Sequence, residues 1–382
     1  MTISLAGLGE AELLRRLARF APPGQLDDDT AALPGDSRIT LVNTDVMVDG
    51  VHFSDATTTA SDVGWRAVAA NLSDLAASGA VAIEGITVAL VAPGDTPWDW
   101  VEGVYQGMAE ALEQHGGTLL GGDCSAGAQR LISVTALGRQ GPLQLHRGHA
   151  EPGDLLVTSG FHGLSRLGLA LLLEDTTLET SELQGSLSRE AIARHQRPTP
   201  RLDALDVLLN CKPDGVSWRA GGTDSSDGLL AAVQGLCASS GCGAVLDRDR
   251  LPRHLDWPAG PRWDRWCLCG GEDYELVLSL PPIWAERWLT RQPNSFNFGR
   301  ITGAADTVLW SDDNTPVKNE SFEHFPNNEP TPLNLKGRFE SSGWIISSSS
   351  PPPQPDRPRA GCSPTRCRTR PGSSRPCHPW RR

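Results

Sequence analysis

The sequence predicts an α/β protein of two domains followed by a disordered tail, and three observations support that class. The chain has 382 residues, more than one typical domain. Strand and helix patterns alternate up to about residue 326. From about residue 344 the composition changes to Ser, Pro and Arg, which cannot bury enough apolar surface to offset the ordering entropy. We therefore expect domains at 1–146 and 147–326 and a low-complexity tail at 327–382.

The first domain is predicted to open with an amphipathic helix, in which Leu13, Leu14 and Leu17 share one face. The order β-α-β-α-β-β follows, which is typical of a sheet layered against helices. The strands are predicted at 39–46 (ITLVNTDV), 83–93 (IEGITVALVAP), 118–123 (TLLGGD) and 131–138 (LISVTALG).

Two helices separate the first three of these strands. The segment SDVGWRAVAANLSDLAASGA has Ser61 as its expected N-cap and Gly79 as its expected stop. The segment TPWDWVEGVYQGMAEALEQHGG has Thr96 as its expected cap, Pro97 in its first turn and Gly116 at its end. The apolar face of this second helix is expected to consist of Val101, Val104, Tyr105, Met108 and Leu112.

The segment RGHAEPGD (147–154) is predicted to lead into the second domain, which is again α/β. DLLVTSG (154–160) and YELVLSL (274–280) are predicted strands of that domain. RPTPR (197–201) is predicted to be an extended joint, because proline disfavours helix both at its own position and at the residue before it.

The overall charge and the cysteine pattern argue against several classes of protein. A net charge of −12 disfavours nucleic-acid and membrane-surface binding, although an acidic chain can bind phosphates through metal ions. No apolar run is long enough for a membrane span, and the N-terminus lacks a secretory apolar core. The nine cysteines include no CxxC pair, so we expect reduced thiols in the cytoplasm rather than a zinc ribbon.

Carboxylates stand at the predicted ends of strands and starts of helices throughout the two domains. Two have simple alternatives, since Asp227 could be a helix N-cap and Asp123 could belong to a turn. Asp74 is different, because it lies inside a helix of Ala and Leu, one turn after Asn71, and a buried carboxylate needs a partner. The full set is Asp27, Asp28, Asp29, Asp45, Asp74, Asp123, Asp224, Asp227, Glu272 and Asp273.

Converging carboxylates would repel one another unless cations lay between them. Mg²⁺ prefers hard oxygen ligands and bridges to phosphates, and Asn43 and Thr44 add neutral oxygens beside Asp45. Glycines before Asp123 and Glu272 would let the backbone approach a phosphate chain. The composition therefore predicts multi-metal phosphoryl chemistry, although the chain has neither a GxxxxGK[ST] motif nor the GxGxxG and HRD motifs of protein kinases.

Seven motifs spread over roughly residues 8 to 325 resemble those of the thiamine-monophosphate kinase family. They are DDDTAAL, NTDVMVDGVHF, NLSDLAASGA, GGDCSAG, HRGHAEPGD, SSDGLL and GGEDYEL. That family has the two-domain aminoimidazole-ribonucleotide synthetase-like fold. The resemblance implies a homodimer whose N-terminal mixed sheets pair across the interface, with the active site in the groove between the halves. It also implies that ATP phosphorylates thiamine monophosphate to thiamine diphosphate with the help of several Mg²⁺ ions.

The resemblance further implies roles for individual residues. No catalytic side chain is implied, because the attacking phosphate oxygen is already ionised and in-line transfer needs only positioning and charge neutralisation. The implied metal ligands are Asp29, Asn43, Thr44, Asp45, Asp74, Asp123, Asp224 and Asp227. The implied nucleotide contacts are Tyr105, Gly122, Asp123, Arg147 and Ser226, and the implied thiamine monophosphate contacts are His52, Glu272 and Phe322.

The chain departs from the family pattern in places, and two alternative functions stay open. Asp27 stands where the family usually has glycine, and HRGHA replaces a more usual Arg-Ser-Gly-Ala stretch. One alternative is another ATP-using enzyme of the superfamily. Selenophosphate synthetase is disfavoured, because it should carry a Cys and a Lys near the N-terminus, whereas the first of each here are Cys124 and Lys212. The other alternative is a nucleotide- or divalent-ion-binding protein without turnover, while a two-metal nuclease is disfavoured by the lack of a basic track.

Overall fold

Two β-sheets organise the computed structural model, which describes residues 3–26, 30–178 and 183–319. The predicted mixed α/β class is confirmed. Asp27–Asp29, Phe322 and the predicted tail lie outside the described residues.

The N-terminal segment forms two short helices, α1 (Leu5–Leu8) and α2 (Glu10–Leu17). Leu13 and Leu17 are buried in the core beside the first sheet, whereas Leu14 is 47% exposed. The prediction that Leu14 shares their face was wrong, because each residue of a helix is turned by about 100° from the one before it, whereas residues four apart nearly coincide.

The first sheet has four strands, β1 (Thr40–Val48), β2 (Ala80–Ala92), β3 (Thr118–Ala126) and β4 (Leu131–Gln140). They lie in the order β1-β4-β2-β3, and neighbours are antiparallel except for the parallel pair of β2 and β3. All four strands agree with the sequence prediction, with small differences at their ends.

Two long helices, α3 (Ala60–Ala77) and α4 (Trp98–His115), pack on one face of this sheet. All five residues predicted for the apolar face of α4 are buried, and Gly116 ends that helix with φ of 96°. Gly79, the predicted stop of α3, follows its C-cap with φ of 87°.

The predicted N-caps of α3 and α4 were both wrong. Thr59, not Ser61, caps α3, because its Oγ1 accepts from the Asp62 amide at 3.2 Å and the Asp62 carboxylate accepts from the Thr59 amide at 3.2 Å. Pro97 takes the N-cap position of α4, so Thr96 lies one residue too early to cap it.

The second sheet follows in the chain and contains seven strands within the described residues. They are β5 (Leu145–His146), β6 (Leu155–Thr158), β7 (Ala220–Asp224), β8 (Gly243–Leu246), β9 (Leu276–Leu280), β10 (Phe296–Thr302) and β11 (Val308–Trp310). Their order is β11-β8-β10-β6-β9-β7-β5. The predicted strands at 154–160 and 274–280 are confirmed as β6 and β9. β5 ends at the predicted domain boundary and pairs with β7 of this sheet; the boundary itself remains a prediction.

Six helices accompany the second sheet in the described part of the chain: the last four pack on its two faces, and the first two pack on each other beside it. They are α5 (Leu164–Leu172), α6 (Gly185–Gln196), α7 (Leu202–Asn210), α8 (Leu229–Ser240), α9 (Pro261–Cys269) and α10 (Pro282–Arg291). Alternate residues of β9 enter different cores, since Leu276 and Leu278 pack with α7 and α10 while Val277 packs with α8 and α9.

Helix α3 packs against parts of both sheets. Its last turn places Ala76 and Ala77 in the core formed with α7 and α10. Near its start, the Trp65 indole Nε1 donates to the carbonyl oxygen of Pro198, in the predicted extended joint, at 2.7 Å. The candidate site forms along this helix, between the two sheets.

Within residues 3–26, 30–178 and 183–319, none of the helices combines the length and the apolar character that a bilayer crossing requires. The six cysteines in these ranges are free thiols.

Candidate active site

A cavity of about 480 Å³ opens where β1, α3, the β7–α8 turn and the segment from Cys269 to Tyr274 meet. It brings together eight of the residues that the sequence singled out: Thr44, Asp45, His52, Asp74, Asp224, Ser226, Asp227 and Glu272. These residues are spread over more than half of the chain.

The alternation of β1 decides which of its polar side chains reach α3. Asn43 and Asp45 are partly buried, and the Asn43 amide nitrogen donates to Asp74 Oδ2 at 2.9 Å and to Asn71 Oδ1 at 3.1 Å. Thr44 is on the opposite, exposed face, where its hydroxyl is 2.8 Å from the Thr135 hydroxyl. The side-chain amide of Asn43 therefore lies beside Asp74, whereas the Thr44 hydroxyl is on the other face of the strand.

Helix α3 contributes two adjacent polar residues to the site. Asp74 accepts the bond from Asn43, and Ser73 Oγ donates to Asp224 Oδ2 at 2.8 Å. Ala70 also lines the cavity, one turn before Asp74 on the same face of the helix. A small side chain at that position keeps the cavity open between the helix and the opposite wall.

The β7–α8 turn supplies Asp224 at the end of its strand and Asp227 just before its helix. Ser226 Oγ donates to Asp224 Oδ1 at 3.0 Å, so both oxygens of this buried carboxylate accept a hydroxyl bond. Gly228, with φ of 104°, is the N-cap of α8. The alternative that Asp227 is merely the cap of this helix was therefore wrong, and its exposed carboxylate lines the cavity.

Burial raises the pKa of three aspartates in this cavity, and the charges of neighbouring aspartates add to the rise for two of them. Burial, followed by the charges of Asp224 and Asp45, raises the pKa of Asp74 to about 7. Burial and the charges of Asp224 and Asp227 raise the pKa of Asp45. Burial also raises the pKa of Asp224, against the effect of its bonds from Ser73 and Ser226. The cavity therefore carries a concentration of negative charge that a cation would relieve.

The donor set fits Mg²⁺, which prefers carboxylate and amide oxygens. Asn43 Oδ1 is buried and, within the described part of the chain, has no hydrogen-bond partner. No group of three His, Cys, Asp or Glu side chains in the described ranges is close enough together to hold an ion by itself. Mg²⁺ in proteins is usually bound by one or two carboxylates and completed by water and phosphate oxygens.

His52 lies in the turn after β1 and lines the same cavity. The amide of Val48 donates to His52 Nδ1 at 3.0 Å. Because Nδ1 accepts this bond, the neutral ring carries its proton on Nε2 and can act there as a donor.

Glu272 stands in a wall of the cavity and is held from behind by α3. Its Oε1 accepts from Arg66 Nη2 at 2.6 Å, while its Oε2 lies 3.7 Å from His195 Nδ1. Burial raises the pKa of Glu272, and the Arg66 charge and hydrogen bond oppose that rise. Glu272 thus lines the cavity while one of its carboxylate oxygens is bound by Arg66.

Other predicted site residues lie outside the lining of this cavity. Gly122 and Asp123 are exposed on β3, and a Cβ atom at Gly122 would lie 2.1 Å from the Val88 carbonyl oxygen, so close strand packing alone requires that glycine. Tyr105 is 4% exposed, and burial raises the pKa of its phenol. Arg147 donates from Nε to Thr223 Oγ1 at 3.0 Å, near enough to Asp224 for its charge to offset part of the burial effect on that pKa. Nucleotide contacts by these residues stay predictions.

Three polar residues behind the cavity were missed by the sequence analysis: Ser73, Arg66 and His195. Ser73 is adjacent to Asp74, but one serine in a helix carries no distinctive signal. Arg66 had the same signal as Asp74, a charged residue among the apolar residues of a helix. His195 could not be found from the sequence, because it is 129 residues from its partner Arg66.

The sequence is similar to that of a known family and to several curated proteins. The family described as AIR synthase related protein, N-terminal domain, matches residues 27–140. Thiamine-monophosphate kinase of Prochlorococcus marinus is 52% identical over 323 residues, which are 84% of this chain and 97% of that protein. Thiamine-monophosphate kinase of Synechococcus elongatus is 42% identical over 327 residues, which cover 84% of this chain and 98% of that protein.

The solved structure of AaThiL complexed with AMPPCP and TMP superimposes with a TM-score of 0.65 at 29% identity, covering 85% of this chain and all of the other. The predicted aminoimidazole-ribonucleotide synthetase-like fold is thereby confirmed. On the identity and coverage of these relatives, the chain belongs to the thiamine-monophosphate kinase family.

Proposed function

We propose that this chain transfers the γ-phosphoryl group of ATP to thiamine monophosphate and releases thiamine diphosphate and ADP. The names of its relatives support the reaction, and a neighbour that holds both AMPPCP, an ATP analogue, and TMP supports the pair of substrates. The observation that carries the proposal is the cavity that brings Asp45, Asp74 and Asp224 together, where burial raises the pKa of each and the charge of Asp224 adds to the rise for the other two. Such a site favours a phosphorylated ligand accompanied by cations.

We assign the metal-binding role to the acidic side of this cavity. Mg²⁺ held there by these side chains would supply positive charge that neutralises phosphate. The proposed ligands are Asp29, Asn43, Thr44, Asp45, Asp74, Asp123, Asp224 and Asp227. For Thr44, the direction of its hydroxyl favours the main-chain carbonyl as the ligand atom.

The chain itself supplies positioning rather than covalent chemistry. The attacking phosphate oxygen is already ionised, so no side chain need remove a proton, and the transfer is direct and in line. His52 Nε2–H donates to the phosphate of thiamine monophosphate, which the bond from the Val48 amide favours by fixing the tautomer. Glu272 and Phe322 contact the organic part of the same substrate. The proposed nucleotide contacts are Tyr105, Gly122, Asp123, Arg147 and Ser226.

We also propose that the protein is a homodimer, joined through the outer face of the first sheet. Helices α3 and α4 cover the inner face, whereas Val42 and Val46 of the edge strand β1 are 64% and 43% exposed on the outer one. A second copy that pairs its own β1 with this surface would bury these side chains. Domains at 1–146 and 147–326 and a cytoplasmic location complete the proposal, and the free thiols of the described cysteines are compatible with that location.

The direct test is incubation with ATP, Mg²⁺ and thiamine monophosphate, followed by chromatography for thiamine diphosphate. The wild-type protein should form thiamine diphosphate, chelation of Mg²⁺ should stop it, and Asp45→Asn should nearly abolish it without unfolding the chain. Nucleotide binding without turnover would instead identify a binding protein. ATP hydrolysis or another product without thiamine diphosphate would identify a different enzyme of the superfamily.

A further inference from the structure

A buried arginine of α3 connects the first half of the chain to the wall of the cavity. Arg66 is 1% exposed. Its Nη2 donates to Glu272 Oε1 at 2.6 Å, and its Nη1 is 3.1 Å from His195 Nε2. Because arginine can only donate, Nε2 of His195 is the acceptor and Nδ1–H is left to donate to Ser165 Oγ at 3.1 Å. The guanidinium therefore binds two elements of the second half with a single planar group.

The wall that Arg66 holds has an unusual backbone. Glu272 has φ of 55° and Tyr274 has φ of 53°, values that side-chain-bearing residues adopt only when their surroundings enforce them. Around them, the Glu272 amide donates to the Ser226 carbonyl at 2.7 Å, and Asp273 accepts from the amides of Gly163 and Ser165 at 2.7 and 3.0 Å. Arg66, which belongs to the first half of the chain, adds a further anchor to this segment through its hydrogen bond to Glu272.

The position of Arg66 on α3 links it to the cavity. Arg66, Ala70 and Asp74 are four residues apart in turn and therefore lie along one face of the helix. Ala70 and Asp74 line the cavity, while Arg66 meets Glu272, which also lines it. One helix face thus presents a carboxylate to the acidic side of the cavity and a guanidinium to the opposite wall.

From this arrangement we infer that Arg66 is a positioning residue for thiamine monophosphate, acting through Glu272 to fix the wall formed by Gly270–Tyr274. The inference rests on the proposed function, which gives Glu272 to that substrate. Lysine could not take this role, because an ammonium group lacks the planar fork that reaches His195 and Glu272 together. Without Arg66, the Glu272 carboxylate would be buried beside a neutral histidine, and the strained backbone would lose one of its anchors.

The test is a double-mutant cycle with Michaelis constants as the readout. Arg66→Met in the wild-type background should raise KM for thiamine monophosphate about tenfold, equivalent to about 1.4 kcal/mol, and change KM for ATP less than twofold. In the Glu272→Gln background the same substitution should change KM for thiamine monophosphate less than twofold, because its partner has already lost its charge. Arg66→Lys should raise this KM at least threefold.

Arg139→Met is the matched control. Arg139 Nε pairs with Glu84 Oε1 at 2.8 Å in the first sheet, and this pair is buried to nearly the same extent as Arg66 and Glu272. Its loss should lower the melting temperature and leave both Michaelis constants unchanged. A similar effect on KM for thiamine monophosphate from Arg139→Met would mean that Arg66 acts only through general stability and would overturn the inference.

Other outcomes also count against the inference. It fails if Arg66→Met or Arg66→Lys has wild-type KM values, if KM for ATP rises equally, or if the effect of Arg66→Met is the same in both Glu272 backgrounds. If Arg66→Met does not fold, Arg66→Lys and the double variant, which lacks both buried charges, decide the question. Wild-type protein that makes no thiamine diphosphate in this assay would refute the proposed function instead.

Discussion

Replacing Asp74 by asparagine should stabilise the protein when divalent ions are absent and should lower its phosphoryl-transfer activity. Asp74 has its pKa raised from 3.8 to about 7, first by burial and then by the charges of Asp224 and Asp45. The amide of asparagine has nearly the same shape, carries no charge and can still accept the bond from Asn43. It therefore removes the repulsion and keeps the packing.

The sign of the pH dependence follows from the raised pKa. The neutral carboxyl of the folded chain contributes stability that is fully present below about pH 4 and is lost as the pH rises through about 7. Asparagine does not titrate, so its advantage over the wild type should grow across that range. A shift of about three pKa units limits the difference in free energy of unfolding between the variant and the wild type to about 4 kcal/mol. Because the Asp74 side chain keeps some contact with water, we expect the variant to be more stable by about 2 kcal/mol at pH 8 and by about 0.8 kcal/mol at pH 5.

Urea denaturation in EDTA at one protein concentration measures the difference between variant and wild type at each pH. Asp206→Asn, the same change at an exposed position on α7, is the control and should alter the free energy of unfolding by less than about 0.5 kcal/mol. The reasoning would be refuted if the asparagine variant were less stable than the wild type at pH 8. It would also be refuted if the gain in free energy of unfolding over the wild type were the same at pH 5 and pH 8.

Three further expectations concern other parts of the chain. Gly122→Ala should lower the free energy of unfolding by more than about 2 kcal/mol in urea denaturation, because its Cβ would lie 2.1 Å from the Val88 carbonyl oxygen; an unchanged midpoint would contradict this. Phe322→Ala should raise KM for thiamine monophosphate on the order of tenfold, and a larger effect on KM for ATP would place this residue at the nucleotide instead. Removing residues 345–382 should leave turnover and melting temperature nearly unchanged, since that composition has no means of joining a core; a large drop in melting temperature would show otherwise.

The sequence predicted those features that depend on neighbouring residues. Strand β1 and the apolar face of α4 were both visible as local patterns. The N-cap of α3 was missed although the sequence contains its signal. Asp62 stands three residues after Thr59, and the two form a capping box at Thr59 rather than at Ser61.

Features built from distant residues could not be predicted in the same way. Arg66 and Glu272 are 206 residues apart, and no spacing rule connects them. The positive φ of Glu272 was also hidden, since it is enforced by contacts with other segments rather than by its own residue type. Conversely, residue type alone made Thr44 a candidate ligand, whereas the strand period sends its hydroxyl away from Asp45.

The two-residue period of β1 couples the inner and outer faces of the first sheet, because the register of this one strand decides which side chains each face receives. Asn43 and Asp45 lie on the partly buried face, where Asn43 meets Asp74, while Val42 and Val46 belong to the opposite, exposed face. A slip of β1 by one residue against β4 would exchange the two sets, placing valines against Asp74 and moving Asn43 and Asp45 to the outer surface. Any contact that holds Val42 and Val46 on the outer face therefore also fixes the position of Asp45 on the inner face. Substitutions that weaken that contact should lower turnover, although the substituted residues touch neither substrate.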